Sequence, residues 1–171
     1  MTTITTPPVA RPLERLYAED EAAHSGTMDS AAAYWNSFSD EDRVRVMHSR
    51  TDYRDFYARM RDVPLAVSRD TGRLLYLLAR SIGARVIVEF GTSALCLAAA
   101  LRDNGGGQLV TTEFEPGKVA RAKDNLAPGG SADLVEFREG DALETLTQDC
   151  RKRSTCCGST APRRSIPTPS T

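Results

Sequence analysis

The stretch RVIVEFGTS at residues 85–93 decides the fold. Its short run of valine and isoleucine is typical of a buried strand. An acid, Glu89, stands near the end of this strand, and Gly91 lets the chain turn tightly. The compact apolar sequence from Ala94 to Leu101 then predicts a helix. A buried strand that runs directly into a helix is the first half of a strand–helix–strand unit with parallel strands.

The same alternation continues on both sides of this stretch. Upstream, Ser68 is a helix N-cap and Gly83 a C-terminal stop, which predicts a helix over 69–81. Downstream, Pro116 favours the first position of a helix that Glu115 can cap. The order of elements predicts a parallel sheet with right-handed crossovers. The predicted downstream elements are strands at 108–113 and 134–137 and helices from 116 to about 126 and from 142 to about 148.

The N-terminal part has a different character. Residues 1–12 are rich in Thr and Pro, which predicts disorder. Residues 13–62 have an irregular helical pattern, with a possible capping box that begins at Ser39. Aromatic residues are frequent here, and packing is their more common role, although they can also line a substrate pocket. Those considered are Tyr34, Trp35, Tyr53 and Tyr57.

Composition limits the classes of function. Five of the 22 basic residues and none of the 23 acidic residues lie in 151–171, so residues 1–150 are acidic overall and no nucleic-acid partner is expected. No apolar run suits a membrane span or a secretory signal, which predicts a cytoplasmic protein. Cys150, Cys156 and Cys157 lack paired C-x-x-C spacing and nearby histidines, so no metal site is predicted, and Cys96 is interpreted as a core residue.

Three acids fall at the carboxyl ends of the three predicted strands, where such sheets bind ligands. They are Glu89, Glu113 and Asp141. An acid after the second strand can accept hydrogen bonds from a ribose diol, and one after the third can accept a bond from an adenine amino group. Each acid also has a structural alternative. Glu89 and Glu113 could be solvated charges, and Glu115 could be the more important acid near the second strand because it caps a helix. Asp141 could be an N-cap that forms a capping box with Glu144.

These motifs resemble class I S-adenosylmethionine-dependent methyltransferases, and in particular small bacterial O-methyltransferases of the catechol type. Residues 88–93 resemble motif I, residues 111–122 the ribose-binding motif, and residues 139–142 the adenine-side motif. Residues 67–75 resemble the helix before motif I. The resemblance implies an S-adenosylmethionine site, a small-molecule methyl acceptor and a possible homodimer; a divalent metal occurs in the family, but its ligands are not found here. The cofactor residues implied are Glu89, Gly91, Thr92, Ser93, Glu113, Asp141 and Ala142, and no catalytic residue is identified.

Two departures from the family stand out. About four residues, one helical turn, are missing after Ser93, which shortens the loop at the methionine end of the cofactor. After Asp149 the expected fourth strand is replaced by a tail rich in Arg, Ser, Thr and Pro. A shifted reading frame over 149–161 can encode Leu-Pro-Glu-Ala-Val-Asp-Leu-Leu-Arg-Leu-Asp-Gly, which resembles that strand. The hypothesis is therefore a disordered, out-of-frame tail at 150–171 that leaves the first strand with an unpaired edge.

The prediction is an α/β fold: an incomplete Rossmann-like methyltransferase sheet of three parallel strands with N-terminal helices. Residues 63–149 form the partial cofactor-binding domain. The predicted function is O-methyl transfer, impaired or lost in this chain. One alternative is a non-enzymatic truncated relic or a fragment that needs a partner. A weaker alternative is a nicotinamide-dependent oxidoreductase, which would require G-x-G-x-x-G where this chain has a single glycine after its first strand.

Overall fold

The structure is a computed structural model of the 171-residue chain. It describes residues 2–23, 27–49, 51–59, 61–63, 65–91, 93–147 and 156–159; the side chains of 27–31 and 156–159 are not described. Thr92, one of the predicted cofactor residues, lies outside the described residues, as does most of the predicted out-of-frame tail.

Helices come first in the chain, and strands alternate with helices after residue 85. The sequence predicted this order because Ser68 caps one helix through the amide of Thr71 and Pro116 begins another. The elements are α1 (Pro7–Ala23), α2 (Thr27–Asn36), α3 (Asp40–His48), α4 (Tyr53–Arg59), α5 (Arg69–Ser81), β1 (Val86–Phe90), α6 (Ala94–Asp103), β2 (Gln108–Glu113), α7 (Pro116–Leu126), β3 (Val135–Glu139), α8 (Ala142–Thr145) and β4 (Cys156–Ser159).

The strands form one parallel sheet in the order β3-β2-β1-β4. The predicted α/β class with parallel β1 to β3 is confirmed. In the register, Glu89 is opposite Thr111, and Glu113 is opposite Glu139. The strand ends that follow β1, β2 and β3 therefore meet along one edge of the sheet, which is called the carboxyl edge below.

The sheet contains one strand more than the sequence predicted. β4 pairs in parallel with β1, from Ile87 opposite Cys156 to Phe90 opposite Ser159. The expectations of a wholly disordered tail and of an unpaired β1 edge are therefore wrong at 156–159. Parallel pairing uses backbone N–H and C=O groups, and the Cys-Cys-Gly-Ser sequence lacks the proline that would remove a donor. In the shifted reading frame the same positions carry Leu-Leu-Arg-Leu. The hypothesis of a shifted reading frame stays a prediction.

α6 is the centre of the core. Its residues from Leu95 to Leu101 are all buried, because α1 and α5 cover it on one side and Ile87 and Leu109 of the sheet face it on the other. A helix that is apolar all round is stable only when it is enclosed in this way. The buried helix begins at Ala94, so only residues 91–93 separate it from β1. This short connection holds the start of α6 against the carboxyl edge.

The predicted disorder of residues 1–12 is wrong for the part that the structure describes, residues 2–12. Residues Thr3–Thr5 form a 3-10 turn and α1 begins at Pro7. Proline is favoured in the first turn of a helix, because backbone N–H groups there have no acceptor within the helix and the lack of an N–H costs no hydrogen bond. Thr3 donates through its amide and its hydroxyl to the carboxylate of Asp103, and Val9 is buried against the core. In the part of the chain that the structure describes, no helix has the length and apolarity to cross a membrane.

Candidate functional site at the carboxyl edge

Glu89 lies inside the protein at the end of β1. It is 1% exposed, which excludes the alternative that it is a solvated charge. Its Oε2 accepts hydrogen bonds from the amide of Ser93, at 3.3 Å, and from the Ser93 hydroxyl. Among the described residues, its Oε1 has no hydrogen-bond partner and is buried. Burial raises the pKa of Glu89, while hydrogen bonds from the Ser93 and Thr111 hydroxyls act in the opposite direction.

Ser93 is the residue that joins β1 to α6. It is the N-cap residue of α6, and its side chain makes no cap hydrogen bond to that helix. Both of its polar groups instead contact Glu89, and it is buried. The buried hydrogen bonds between Ser93 and Glu89 thus stabilise the shortened connection on its interior side. A direct contact between Ser93 and a cofactor stays a prediction.

Gly91 is the point of closest approach between this connection and β2. Its amide donates to the carbonyl of Thr112 at 3.1 Å. A Cβ at this position would lie 2.6 Å from that same oxygen, which is shorter than real contacts of this kind. It would also lie 3.5 Å from Oε2 of Glu113. Only glycine fits here, and it leaves the space beside the Glu113 carboxylate clear.

Glu113 ends β2 and is half-buried. Its Oε1 accepts a hydrogen bond from the amide of Glu115 at 2.9 Å, and its Oε2 is turned toward Gly91. The side chain of Glu115 makes no cap hydrogen bond to α7, so the predicted capping role is wrong. Lys118 is half-buried close by: burial lowers its pKa, and the charges of Glu113 and Glu115 act to raise it. Glu113 is therefore a fixed carboxylate with one oxygen directed at the glycine turn.

Asp141 follows β3, and the preceding residue, Gly140, is hydrogen-bonded to Glu113 at the end of β2. Gly140 has a φ of 123°, a conformation that favours glycine, and its amide donates to the carbonyl of Glu113 at 2.9 Å. Asp141 caps α8 by accepting from the amide of Leu143 at 2.8 Å, which confirms the capping alternative for this residue. Ala142 begins α8 and is half-buried. The three predicted acids therefore do lie along one continuous edge.

The N-terminal helix α4 contacts this edge from outside the sheet. Tyr53 donates a hydrogen bond from its hydroxyl to Oδ2 of Asp141. Arg54 lies 3.7 Å from Oδ2 of Asp141 and 3.7 Å from the Glu144 carboxylate. The Tyr53 ring packs edge-on against Phe114, with centroids 6.1 Å apart. Sequence reasoning assigned Tyr53 to packing and did not consider Arg54, because nothing in local spacing shows a contact between residues so distant in the chain.

The described residues contain no group of three or more His, Cys, Asp or Glu side chains placed to hold a metal ion. Cys96 is a core residue, as the sequence indicated: its thiol lies 4.0 Å from the Tyr17 hydroxyl, and burial raises its pKa to about 11. The thiol is therefore not ionised at neutral pH.

Comparison with known proteins adds independent findings. A family model described as O-methyltransferase matches residues 40–157. Catechol O-methyltransferase of Mycobacterium tuberculosis is 40% identical over 84 residues, 48% of this chain and 38% of that protein. Catechol O-methyltransferase of Niastella koreensis is 36% identical over 88 residues, 49% of this chain and 39% of that protein. This chain thus spans well under two thirds of these curated relatives.

Among solved structures, the cofactor-bound Rv0187 from MTB is similar in both fold and sequence. Its TM-score is 0.51 at 34% sequence identity, over 56% of this chain and 44% of that chain. The family match begins at α3 and reaches the start of β4, so it includes the carboxyl ends of β1, β2 and β3.

Proposed function

This chain belongs to the O-methyltransferase family, and on that premise we propose that it binds S-adenosylmethionine along its carboxyl edge for methyl transfer to an oxygen of a small molecule. The observation that carries the proposal is the line of acids at this edge: Glu89 buried behind it, and Glu113 and Asp141 on it. A nucleoside offers a ribose diol and an adenine amino group as hydrogen-bond donors, and carboxylates after parallel strands bind such groups.

The residues present fit the nucleoside part of the cofactor. Gly91 places no Cβ beside Oε2 of Glu113, and among the described residues this oxygen has no hydrogen-bond donor, so it can accept from a ribose hydroxyl. Phe114 follows Glu113 directly and contacts Tyr53, which donates to Asp141, so an aromatic ring lies near this edge. Asp141 would accept from the adenine amino group. The structural relative Rv0187 from MTB is cofactor-bound, which supports cofactor binding in this fold.

The part of this chain in the reaction is positioning. When bound, the cofactor would supply a sulfonium methyl group that is transferred to the acceptor oxygen by in-line displacement, with the neutral thioether as the leaving group. Glu113 and Asp141 would hold the nucleoside in a fixed orientation through hydrogen bonds. Glu89 holds the β1–α6 connection from behind through Ser93. Orientation of this kind converts an encounter of two molecules into a reaction within one complex.

Binding measurements distinguish this function from its rivals. Calorimetric titration with S-adenosylhomocysteine, and separately with NAD, tests the class of ligand. We expect binding of S-adenosylhomocysteine and none of NAD, because the single glycine after β1 does not provide a pyrophosphate loop. Binding of NAD alone would favour the oxidoreductase. A folded protein that binds neither ligand would favour the non-enzymatic fragment.

A further inference from the structure

Both oxygens of the Asp141 carboxylate have partners within the protein. Oδ1 accepts from the amide of Leu143, which fixes the start of α8. Oδ2 accepts from the Tyr53 hydroxyl and lies 3.7 Å from Arg54. The Asp141 side chain is only 11% exposed. A carboxylate oxygen has two acceptor positions, so a ligand amino group that approaches Asp141 on the Oδ2 side has to compete with Tyr53 and Arg54.

The Tyr53 ring lies beside the strip that a nucleoside would cover. It contacts Phe114, the residue after Glu113, while its hydroxyl reaches Asp141. One side chain of α4 therefore contacts both the proposed adenine carboxylate and the residue that follows the proposed ribose carboxylate. Burial, and then the hydrogen bond to Asp141, raise the pKa of Tyr53, so its hydroxyl is protonated and donates at neutral pH.

α4 is held to the rest of the protein by contacts that are easily exchanged. It is seven residues long and none of its residues is buried. Its inner side consists of aromatic ring contacts, Tyr53 with Phe114 and Phe56 with Trp35. Segments with little buried apolar surface open at low free-energy cost. α4 can therefore move without disturbing the core around α6.

We propose that Tyr53 and Arg54 form a latch on Asp141, closed in the absence of ligand and displaced when the adenine end of the cofactor binds. The latch rests on the proposed function, since it regulates access to the same site. It lowers cofactor affinity by the free energy needed to release Tyr53 from Asp141. It also links the N-terminal helices to the state of the cofactor site.

The chain has a built-in reporter for this movement. Trp35 is its only tryptophan, and its ring centroid lies 5.1 Å from that of Phe56 on α4. Displacement of α4 removes Phe56 from Trp35 and changes the fluorescence of that indole. Tryptophan emission therefore reports the position of α4, while calorimetry measures binding of the ligand.

The test compares Tyr53→Phe with a matched control, Tyr57→Phe, on the same helix; the Tyr57 hydroxyl is not among the described partners of Asp141. We expect Tyr53→Phe to bind S-adenosylhomocysteine about three- to tenfold more tightly, the scale of one ordinary intramolecular hydrogen bond. Its ligand-free emission spectrum should resemble that of the ligand-bound wild type. Tyr57→Phe should match the wild type in both measurements. Arg54→Ala, at an exposed position, provides a second opening variant with a smaller gain of about twofold.

The outcomes separate the latch from the function beneath it. If the wild type binds S-adenosylhomocysteine and Glu113→Gln does not, but Tyr53→Phe binds equally or more weakly with an unchanged spectrum, the latch is wrong and the cofactor site stands. If no variant binds, including Tyr53→Phe and Arg54→Ala, both proposals fail.

Discussion

The turns after β1 and β3 lie at the same edge of the sheet and are completed in opposite ways. After β1, Glu89 and Ser93 close the turn with contacts between residues four apart, and both are buried. After β3, Asp141 caps α8 and is then covered by Tyr53, 88 residues away in the chain. The first turn is part of the core, whereas the second depends on a surface helix. Substitutions at the first turn should therefore change stability most, whereas loss of the contacts that α4 makes with the second should mainly change binding.

The largest effect is expected for Gly91→Ala. The added Cβ would lie 2.6 Å from the carbonyl oxygen of Thr112, and the backbone has to shift. We expect a loss of about 3 kcal/mol in the free energy of unfolding, the upper end for overpacking. Urea denaturation measures it. Gly117→Ala in α7, where the nearest atom is 3.9 Å from the added Cβ, is the control and should not destabilise. Equal effects of the two changes would remove the steric argument.

Ser93→Ala tests the buried pair. It deletes the hydroxyl that donates to Glu89 and leaves the carboxylate with the backbone amide. We expect a loss of about 2 kcal/mol, typical of a hydrogen bond to a charged group. Ser131→Ala is a matched control, because that serine is also buried but its hydroxyl has only a 3.4 Å contact to the carbonyl of Gly129. A loss no greater than that of the control would contradict the role of Ser93.

Glu89→Gln tests the cost of burying the carboxylate. The pKa of Glu89 is raised in the folded protein, so its favourable contribution is complete below its ordinary value of 4.5 and is lost as pH rises through the folded-state pKa. Glutamine cannot ionise. We expect the variant to gain about 1 kcal/mol over the wild type at pH 8, the scale of a buried group without a partner, and less at pH 5. Chemical denaturation at both pH values measures the difference in the free energy of unfolding between the variant and the wild type. A difference that becomes smaller from pH 5 to pH 8 would contradict a raised pKa of Glu89.

The smallest effect is expected for Glu115→Ala. The Glu115 side chain makes no cap hydrogen bond, so what is lost is its interaction with the helix dipole and its charge interaction with Lys118, together less than about 0.5 kcal/mol. Asp141→Ala removes a real cap and should cost about 1 kcal/mol. Thermal unfolding of the two variants side by side provides the comparison. A larger loss of stability for Glu115→Ala than for Asp141→Ala would contradict the conclusion that Glu115 is not a cap.

Local signals were sufficient for much of this fold. Ser68 and Gly83 bounded α5, and the Val-Ile-Val run identified β1, because caps, turns and apolar runs act within a few residues. The same holds for the three acids at the carboxyl edge, whose order follows from the alternation of strands and helices. The family match confirms the resemblance from which the cofactor residues were taken.

The rest depended on contacts between distant residues. Residues 2–12 looked disordered because Thr and Pro dominate, yet Asp103 fixes Thr3 in place. β4 looked impossible from its side chains, yet its backbone pairs with β1. The contact from Tyr53 to Asp141 has no local pattern at all, since it depends on how α4 packs against the edge.

The central claim is that the carboxyl edge binds a nucleoside cofactor through Glu113. The most direct test is calorimetric titration of the wild type and Glu113→Gln with S-adenosylhomocysteine. We predict a Kd on the order of micromolar for the wild type and binding at least about tenfold weaker for the variant, with unchanged urea denaturation. Equal binding by the two proteins, or no binding by a folded wild type, would contradict the account.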